Sequence, residues 1–426
     1  MKILYLCFDP SIDLAAEAGA AVHVRAMIRA MGRLGHEVTA LGSCVGRPEW
    51  VASQTGARVI PCQLARLNRA LRTAIRRTNK VLRRQLRRVP DAVRLLHNAT
   101  FLRKASNLVR DFSPDFIYER YSLWGIAGLT LAKRQGVPLA LEVNAPLVYE
   151  QQRYRQKLAW PRFARWTERR AWRGANPVIV VSELLQKHLQ EAGVAPEQIR
   201  VLPNAVDASW FTTDTETIRP PRDLEKEGEF VLGFVGSFKA WHGADFLLSV
   251  FEEFYRVEPL SRLLLIGDGP LKDVLQEKAY RAGLAKAVVF TGIVPHEEIR
   301  RYLAAMDVAL APYPSLENFY FSPLKLFEYM AAGLAVVASN TGQVSQLICH
   351  RVNGLLYEPE DRAGLLRCLC ELRTNAAFRE ELGRNARKAS EAFTWERNAA
   401  RVIEWVRPRL IRGNLQGSLL DADARA

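Results

Sequence analysis

From its first residues the chain alternates short apolar runs with helical stretches, and repeated alternation of that kind leaves few folds open. Lys2–Phe8 is a strand pattern that leads through Gly19 into a helix over Val22–Leu34, then by Gly35 to a second strand pattern over Glu37–Leu41. Further strand patterns fall at Phe116–Tyr118, Pro138–Val143, Val178–Val181 and Ile199–Leu202, the last two bracketing a helix over Glu183–Ala192. Strands joined by helical crossovers pair in parallel, with helices covering both faces of the sheet. The polar, Pro-containing stretch Thr212–Glu229 interrupts the pattern as a linker does. Alternation then restarts with strands at Phe230–Val235, Arg262–Ile266, Val288–Thr291, Val308–Ala311 and Ala335–Ala338, and helices from Ala244, Leu271 and Glu297 and around Glu328. The expected fold class is α/β, with two doubly wound, Rossmann-like domains in series.

Length agrees, since 426 residues exceed what one hydrophobic core of about 250 to 300 residues accommodates. The expected limits are 1–211 for the first domain, with a basic helical insertion at 64–110, and 212–229 for the linker. The second domain is expected over 230–394, a helix crossing back to the first domain over 395–412, and a polar tail over 413–426. Ligands of such sheets bind beyond the carboxyl ends of the strands, which points to a cleft between the halves.

With 49% hydrophobic and 25% charged residues the composition is globular. The opening MKILYLCFDP has no signal-peptide core or cleavage site, and no apolar stretch reaches the roughly 20 residues that cross a bilayer. A cytoplasmic location is expected. The six cysteines show no paired CxxC spacing and the seven histidines are scattered, so neither a metal nor another cofactor is expected.

Chemistry-bearing residues gather after three strands of the second half. Phe234-Val235-Gly236-Ser237-Phe238-Lys239-Ala240-Trp241-His242-Gly243 joins a strand to a helix, where glycines let backbone amides approach a phosphate. A merely tight turn explains that segment alone equally well. Ile266-Gly267-Asp268-Gly269-Pro270 is a second such turn. The third is Phe319-Tyr320-Phe321-Ser322-Pro323-Leu324-Lys325-Leu326-Phe327-Glu328-Tyr329-Met330-Ala331-Ala332-Gly333. There Ser322 is read as the N-cap, Pro323 as the first helical residue, Lys325 as a first-turn cation and Glu328 as a carboxylate for ribose hydroxyls. The plain alternative is a Lys325–Glu328 surface ion pair at i, i+3.

Together with Gly19, His23, Pro203-Asn204-Ala205-Val206-Asp207 and Asn353-Gly354-Leu355-Leu356, these segments resemble the retaining GT-B glycosyltransferases typified by sucrose synthases and bacterial mannosyl- and glucosyltransferases. The resemblance covers about 400 residues, and Ser322 to Gly333 is its most specific block. It implies two Rossmann-like domains facing across a cleft and transfer of a sugar, of the hexosyl class, from a nucleoside diphosphate to an acceptor hydroxyl with retained anomeric configuration. It implies a catalytic set of His23, Lys239 and Lys325, and a donor site of Gly236, Ser237, His242, Gly267, Tyr320, Ser322, Leu324 and Glu328, with amides at Gly236 and Ser322 toward phosphate. Gly19, Glu119, Arg120, Glu142 and Asn144 are the acceptor-side residues. The acceptor is expected to be a glycan, a lipid-linked molecule or a small molecule.

The chain departs from the family pattern at three places. Tyr320 replaces the first of two glutamates, Ser237 and His242 replace an Arg and a Lys, and Gln346 replaces a glutamate. These replacements keep open a noncatalytic sugar-nucleotide-binding protein or scaffold, and a GT-B epimerase or phosphorylase is a second alternative.

The charge is concentrated. Leu64 to Arg110 carries 14 Lys and Arg against Asp91, and Gln151 to Gly174 carries eight against Glu168, leaving a net −5 for the remainder of a chain of net charge +15. With Leu67, Leu71, Ile75, Leu82 and Leu86 as an apolar stripe, the first segment reads as a basic amphipathic helix on anionic lipid, placing the protein peripherally at the inner membrane face, or as a solvated insertion. Nucleic acid is not an expected partner, because Leu64 to Thr100 has no interleaved aromatics.

Overall fold

The computed structural model describes residues 1–63, 93–155, 158, 160–207, 209–212, 220, 221, 224 and 228–423. The chain forms two compact units, one of Met1–Pro203 with Trp395–Ala426 and one of Asn204–Thr394. Among the described residues no helix is long and apolar enough to cross a membrane.

The first unit is built on seven strands, β1 Lys2–Cys7, β2 Glu37–Gly42, β3 Arg58–Pro61, β4 Phe116–Arg120, β5 Leu139–Val143, β6 Val178–Val180 and β7 Ile199–Val201. They lie in the order β3-β2-β1-β4-β5-β6-β7, all parallel. Central strand β1 has helices over both faces, so Ile3, Leu4, Tyr5 and Leu6 are all fully buried and the strand reads as a continuous apolar run. The helix Gly19–Arg33 buries Val24, Met27, Ile28 and Met31 on its inner stripe. Its Arg25 guanidinium donates to the carbonyls of Leu14 and Ala16, each at 2.7 Å, which ties down the preceding loop. Chain order reverses between β1 and β4, the switch point where doubly wound sheets open.

The second unit has six parallel strands, β8 Phe230–Val235, β9 Ser261–Ile266, β10 Val288–Gly292, β11 Val308–Ala311, β12 Ala335–Ser339 and β13 Leu355–Tyr357, in the order β10-β9-β8-β11-β12-β13. Successive side chains point to opposite faces. Leu232, Phe234, Leu263, Leu265 and Leu310 accordingly join one core, while Val231, Leu264, Ile266, Ala309 and Ala311 join the other. The switch point lies between β8 and β11, whose pairing covers Leu232 with Val308 and Gly233 with Ala309. Beyond it, the Val235 N–H donates to the Tyr329 hydroxyl at 2.7 Å.

The expected first-domain limit at 211 is corrected, because the chain enters the second unit at Asn204. The backbone N–H of Asn204 donates to Ser322 Oγ at 2.8 Å, and Val206 bridges Thr394, so both residues are anchored there. The helix Trp395–Asp423 belongs to the first unit and continues past the expected limit at 412. Most of the 212–229 linker and residues 64–92 of the basic insertion lie outside the described residues. Of that insertion, Val93 onward forms the helix Val93–Phe112.

Candidate functional site

At the switch point of the second unit, β8 runs into Gly236 and β9 into Gly267. Gly267 has φ +129°, and a Cβ there would lie 2.1 Å from the Gly236 carbonyl oxygen, so the two turns interlock only as glycines. The Gly236 N–H donates to the Ile266 carbonyl at 2.9 Å, which corrects its expected role as a phosphate donor. The N–H groups of Ser237 and Ser322 have no acceptor among the described residues and face no competing carbonyl there.

Lys325 enters this turn from the helix Leu324–Ala331. Its residue exposure is 8%, and its ammonium has no hydrogen-bond partner among the described residues. Nζ lies 3.9 Å from the centroid of Phe234 and 5.4 Å from that of Tyr313, and a Cβ on Gly236 would come within 2.7 Å of it. Burial pushes its pKa down to about 7, against which the Glu328 carboxylate favours the charged form. A buried ammonium against aromatic faces without a hydrogen-bond acceptor is costly unless an anion reaches it.

His242 does not add a second cation. Burial, reinforced by the Lys325 charge, pushes its pKa down to about 3, so the ring is neutral at pH 7. Its Nδ1 lies 2.5 Å from the Ser237 carbonyl oxygen and 3.2 Å from Ser237 Oγ. A carbonyl only accepts, so Nδ1 carries the proton and Nε2 is an acceptor. Lys239 is half-buried with Nζ 5.2 Å from the Trp241 ring centroid.

Three residues after Lys325 on the Leu324–Ala331 helix stands Glu328, and Leu324 at the helix start is half-buried. Glu328 Oε1 lies 2.6 Å from Nε2 of His296, whose ring packs on Trp210 at 4.8 Å between centroids. The Glu328 side chain is 13% exposed. The surface ion pair with Lys325 is therefore not formed. Ser322 is not the N-cap. Pro323 occupies that position in extended conformation, and Ser322 is occupied by Asn204, which also donates its side-chain amide to the Ser322 carbonyl at 2.6 Å. Tyr320 is 3% exposed, with its ring edge against Phe321 at 4.6 Å between centroids.

The first unit carries a separate cluster around Glu142, which is 2% exposed. Arg120 donates to its Oε1 at 2.7 Å, His23 Nε2 lies 2.8 Å from the same oxygen, and Asn144 also donates to it. The Tyr118 hydroxyl donates to Oε2. Burial alone would raise the Glu142 pKa, but His23, Arg120 and the Tyr118 hydrogen bond outweigh it and hold the carboxyl well below its ordinary range. The His23 ring also meets Trp395 edge-on at 4.7 Å. Gly19 is the exposed first residue of the helix that carries His23.

Glu119 stands apart. Residues 118 and 120 point to one face of β4, so 119 points to the other, where its Oε2 would lie 2.0 Å from a Cβ on Gly128. Burial pushes its pKa to about 8, which makes it a neutral acid at pH 7, and the structure does not bring it to His23.

His296 and Tyr118 are the members that sequence reasoning missed. His296 lies 32 residues from Glu328, in a turn after the edge strand β10, and no spacing rule connects the two.

Comparison with known proteins fits this architecture. The family model for Glycosyltransferase Family 4 matches residues 18–210, and the model for Glycosyl transferases group 1 matches residues 229–375. Each unit thus matches a glycosyltransferase family model, and the two-domain fold is that of GT-B glycosyltransferases. This glycosyltransferase chain is 26% identical over 53% of its length to an uncharacterised glycosyltransferase of Methanocaldococcus jannaschii, an alignment spanning 58% of that relative. In fold it is similar to sucrose-phosphate synthase from Thermosynechococcus elongatus, at a TM-score of 0.71, 21% identity and coverage of 99% of this chain and 100% of that one. It is also similar to Anabaena HepE solved in complex with UDP-glucose, at 0.70, 19% identity, 96% and 100%.

Proposed function

We propose that the chain transfers a sugar, a hexose, from a nucleoside diphosphate to an acceptor hydroxyl with retention of anomeric configuration. The observation that carries this reading is the buried Lys325 ammonium at the β8/β11 switch point, which has no hydrogen-bond partner among the described residues. A diphosphate supplies the missing counter-charge, and negative charge on it grows as the glycosidic bond breaks. A cation already in place stabilises that growth without reorganising at the moment of reaction. The N–H groups of Ser237 and Ser322 assist, and Glu328 accepts the ribose hydroxyls. HepE was solved with UDP-glucose, which makes uridine the nucleoside to try first.

Attack on the same face as the departing phosphate needs no protein nucleophile, and none is assigned. In the first unit, the His23 imidazole, held by Glu142, serves the acceptor, with Arg120 and Asn144 fixing that carboxylate. No metal or other cofactor enters this scheme.

The test is nucleoside diphosphate release from a panel of nucleotide sugars, followed by proton NMR of the glycoside formed. Release from one donor and a product with the donor's anomeric configuration support the reading. Release without transfer to any acceptor hydroxyl, interconversion of the nucleotide sugar, or an inverted product overturns it.

A further inference from the structure

The helix Pro161–Gly174 in the first unit has a surface to which the proposed transfer assigns no role. Its inner stripe buries Ala164, Thr167, Glu168, Ala171 and Trp172. Its outer face is densely cationic, with Arg162, Arg165, Arg169, Arg170 and Arg173 lining a hollow closed by Lys133. Among the described residues, Lys133, Arg162, Arg165, Arg169 and Arg170 form no ion pair, and the one acid of the helix, Glu168, is buried. Burial pushes the Glu168 pKa to about 8, so it does little to offset the outer charge at pH 7.

At the same end, three large aromatic side chains stand in water, Trp160 at 52% exposure, Phe163 at 43% and Trp166 at 52%. Phe163 stacks on Trp166 at 5.7 Å between centroids and 12°, and the Arg170 guanidinium sits 5.4 Å from the Trp166 ring. Exposed aromatic surface of this size is costly in water and marks a contact site. Aromatic rings beside unpaired arginines match one environment well: the headgroup region of a bilayer, where rings sit at the acyl boundary and guanidinium groups meet lipid phosphates. A free phosphate would use the arginines but not the rings.

We propose that this helix docks the chain onto a membrane rich in anionic phospholipid, with Trp160, Phe163 and Trp166 inserted and the arginine face on the phosphates. The surface is independent of the Lys325 site, so its test does not depend on sugar transfer.

The full chain is floated with vesicles of phosphatidylcholine and phosphatidylglycerol at 3:1 and with pure phosphatidylcholine vesicles. It should bind the anionic vesicles at low salt, weaken as salt rises, and ignore the neutral ones. Two exposed variants separate the terms. R162E/R165E/R169E should weaken binding by at least about 10-fold. F163S/W166S should weaken it at low and high salt alike and reduce the blue shift of tryptophan emission on binding. The circular dichroism spectrum and thermal midpoint of both should match the wild type, which shows that they fold. Failure of the wild-type chain to bind, undiminished binding of both variants, or tighter binding to a single-stranded oligonucleotide than to the vesicles would overturn the proposal.

Discussion

His296 Nε2 lies 2.6 Å from Oε1 of Glu328, and the imidazole rests on Trp210. The pair leaves one carboxylate oxygen oriented and the other, Oε2, for a ligand. Hydrogen bonds to charged groups contribute roughly 1.5 to 3 kcal/mol. His296→Ala is therefore expected to weaken nucleotide binding by about 10- to 100-fold, measured by calorimetry. Nucleotide affinity unchanged by His296→Ala would mean that Glu328 needs no support or does not bind ribose.

Lys325 makes stability and ligand affinity depend on pH in a way that can be worked out in sign. Its pKa is about 7 in the folded chain and 10.5 as an ordinary lysine. Between those values the unfolded chain holds a proton that the folded chain does not, so the Lys325 contribution raises stability as pH rises from about 7 to 10.5. Below pH 7 its penalty is fully present. Lys325→Met removes the penalty, so the variant should be more stable than the wild type at pH 7, and the gap should close by pH 10 in urea titrations. A gap that stays constant with pH would contradict the assigned burial cost.

Nucleoside diphosphate binding should return a proton to Lys325. At pH 8, calorimetry in buffers of different ionisation enthalpy should show net proton uptake on binding, absent in Lys325→Met. The affinity of the wild type should fall as pH rises above about 7, with His242 neutral throughout. Binding without proton uptake would place the phosphates elsewhere.

The two neighbouring carboxyls of the first unit should respond oppositely. Glu119, raised to about 8 from 4.5, holds a proton in the folded chain that the unfolded chain loses, so it costs stability as pH rises from about 4.5 to 8. Glu119→Gln should raise the thermal midpoint at pH 8 and have little effect at pH 4.5. Glu142 is lowered, so its contribution is present above about pH 4.5 and is lost as pH falls below that. Glu142→Gln should cost about 2 to 4 kcal/mol at pH 7, because it leaves the half-buried Arg120 without its carboxylate. Chemical denaturation at pH 4.5, 7 and 8 distinguishes the two.

Much of this architecture was legible because parallel strands buried on both faces write continuous apolar runs, as in Ile3 to Leu6 and Leu263 to Ile266. The Lys325 and Glu328 positions were legible because one contiguous block carries both. What stayed hidden depends on contacts distant in sequence. Asn204 takes Ser322 away from its expected cap, His296 reaches Glu328 across the unit, and the Ile266 carbonyl occupies the Gly236 amide. Glu119 and Arg120 looked equivalent at the end of one strand, yet the two-residue period sends them to opposite faces, one into an apolar layer and one to Glu142. The domain limit near 211 followed a change in composition, whereas the chain changes units where Asn204 and Val206 find partners.

The central claim is that the Lys325 ammonium is the seat of a nucleoside diphosphate, and calorimetric titration with UDP, GDP and ADP and their sugars tests it most directly. One nucleoside diphosphate should bind saturably to the wild type, and Lys325→Met should weaken it by at least about 100-fold while remaining folded. Equal affinity in the two proteins, or no binding of any nucleotide at millimolar concentration, would contradict the claim.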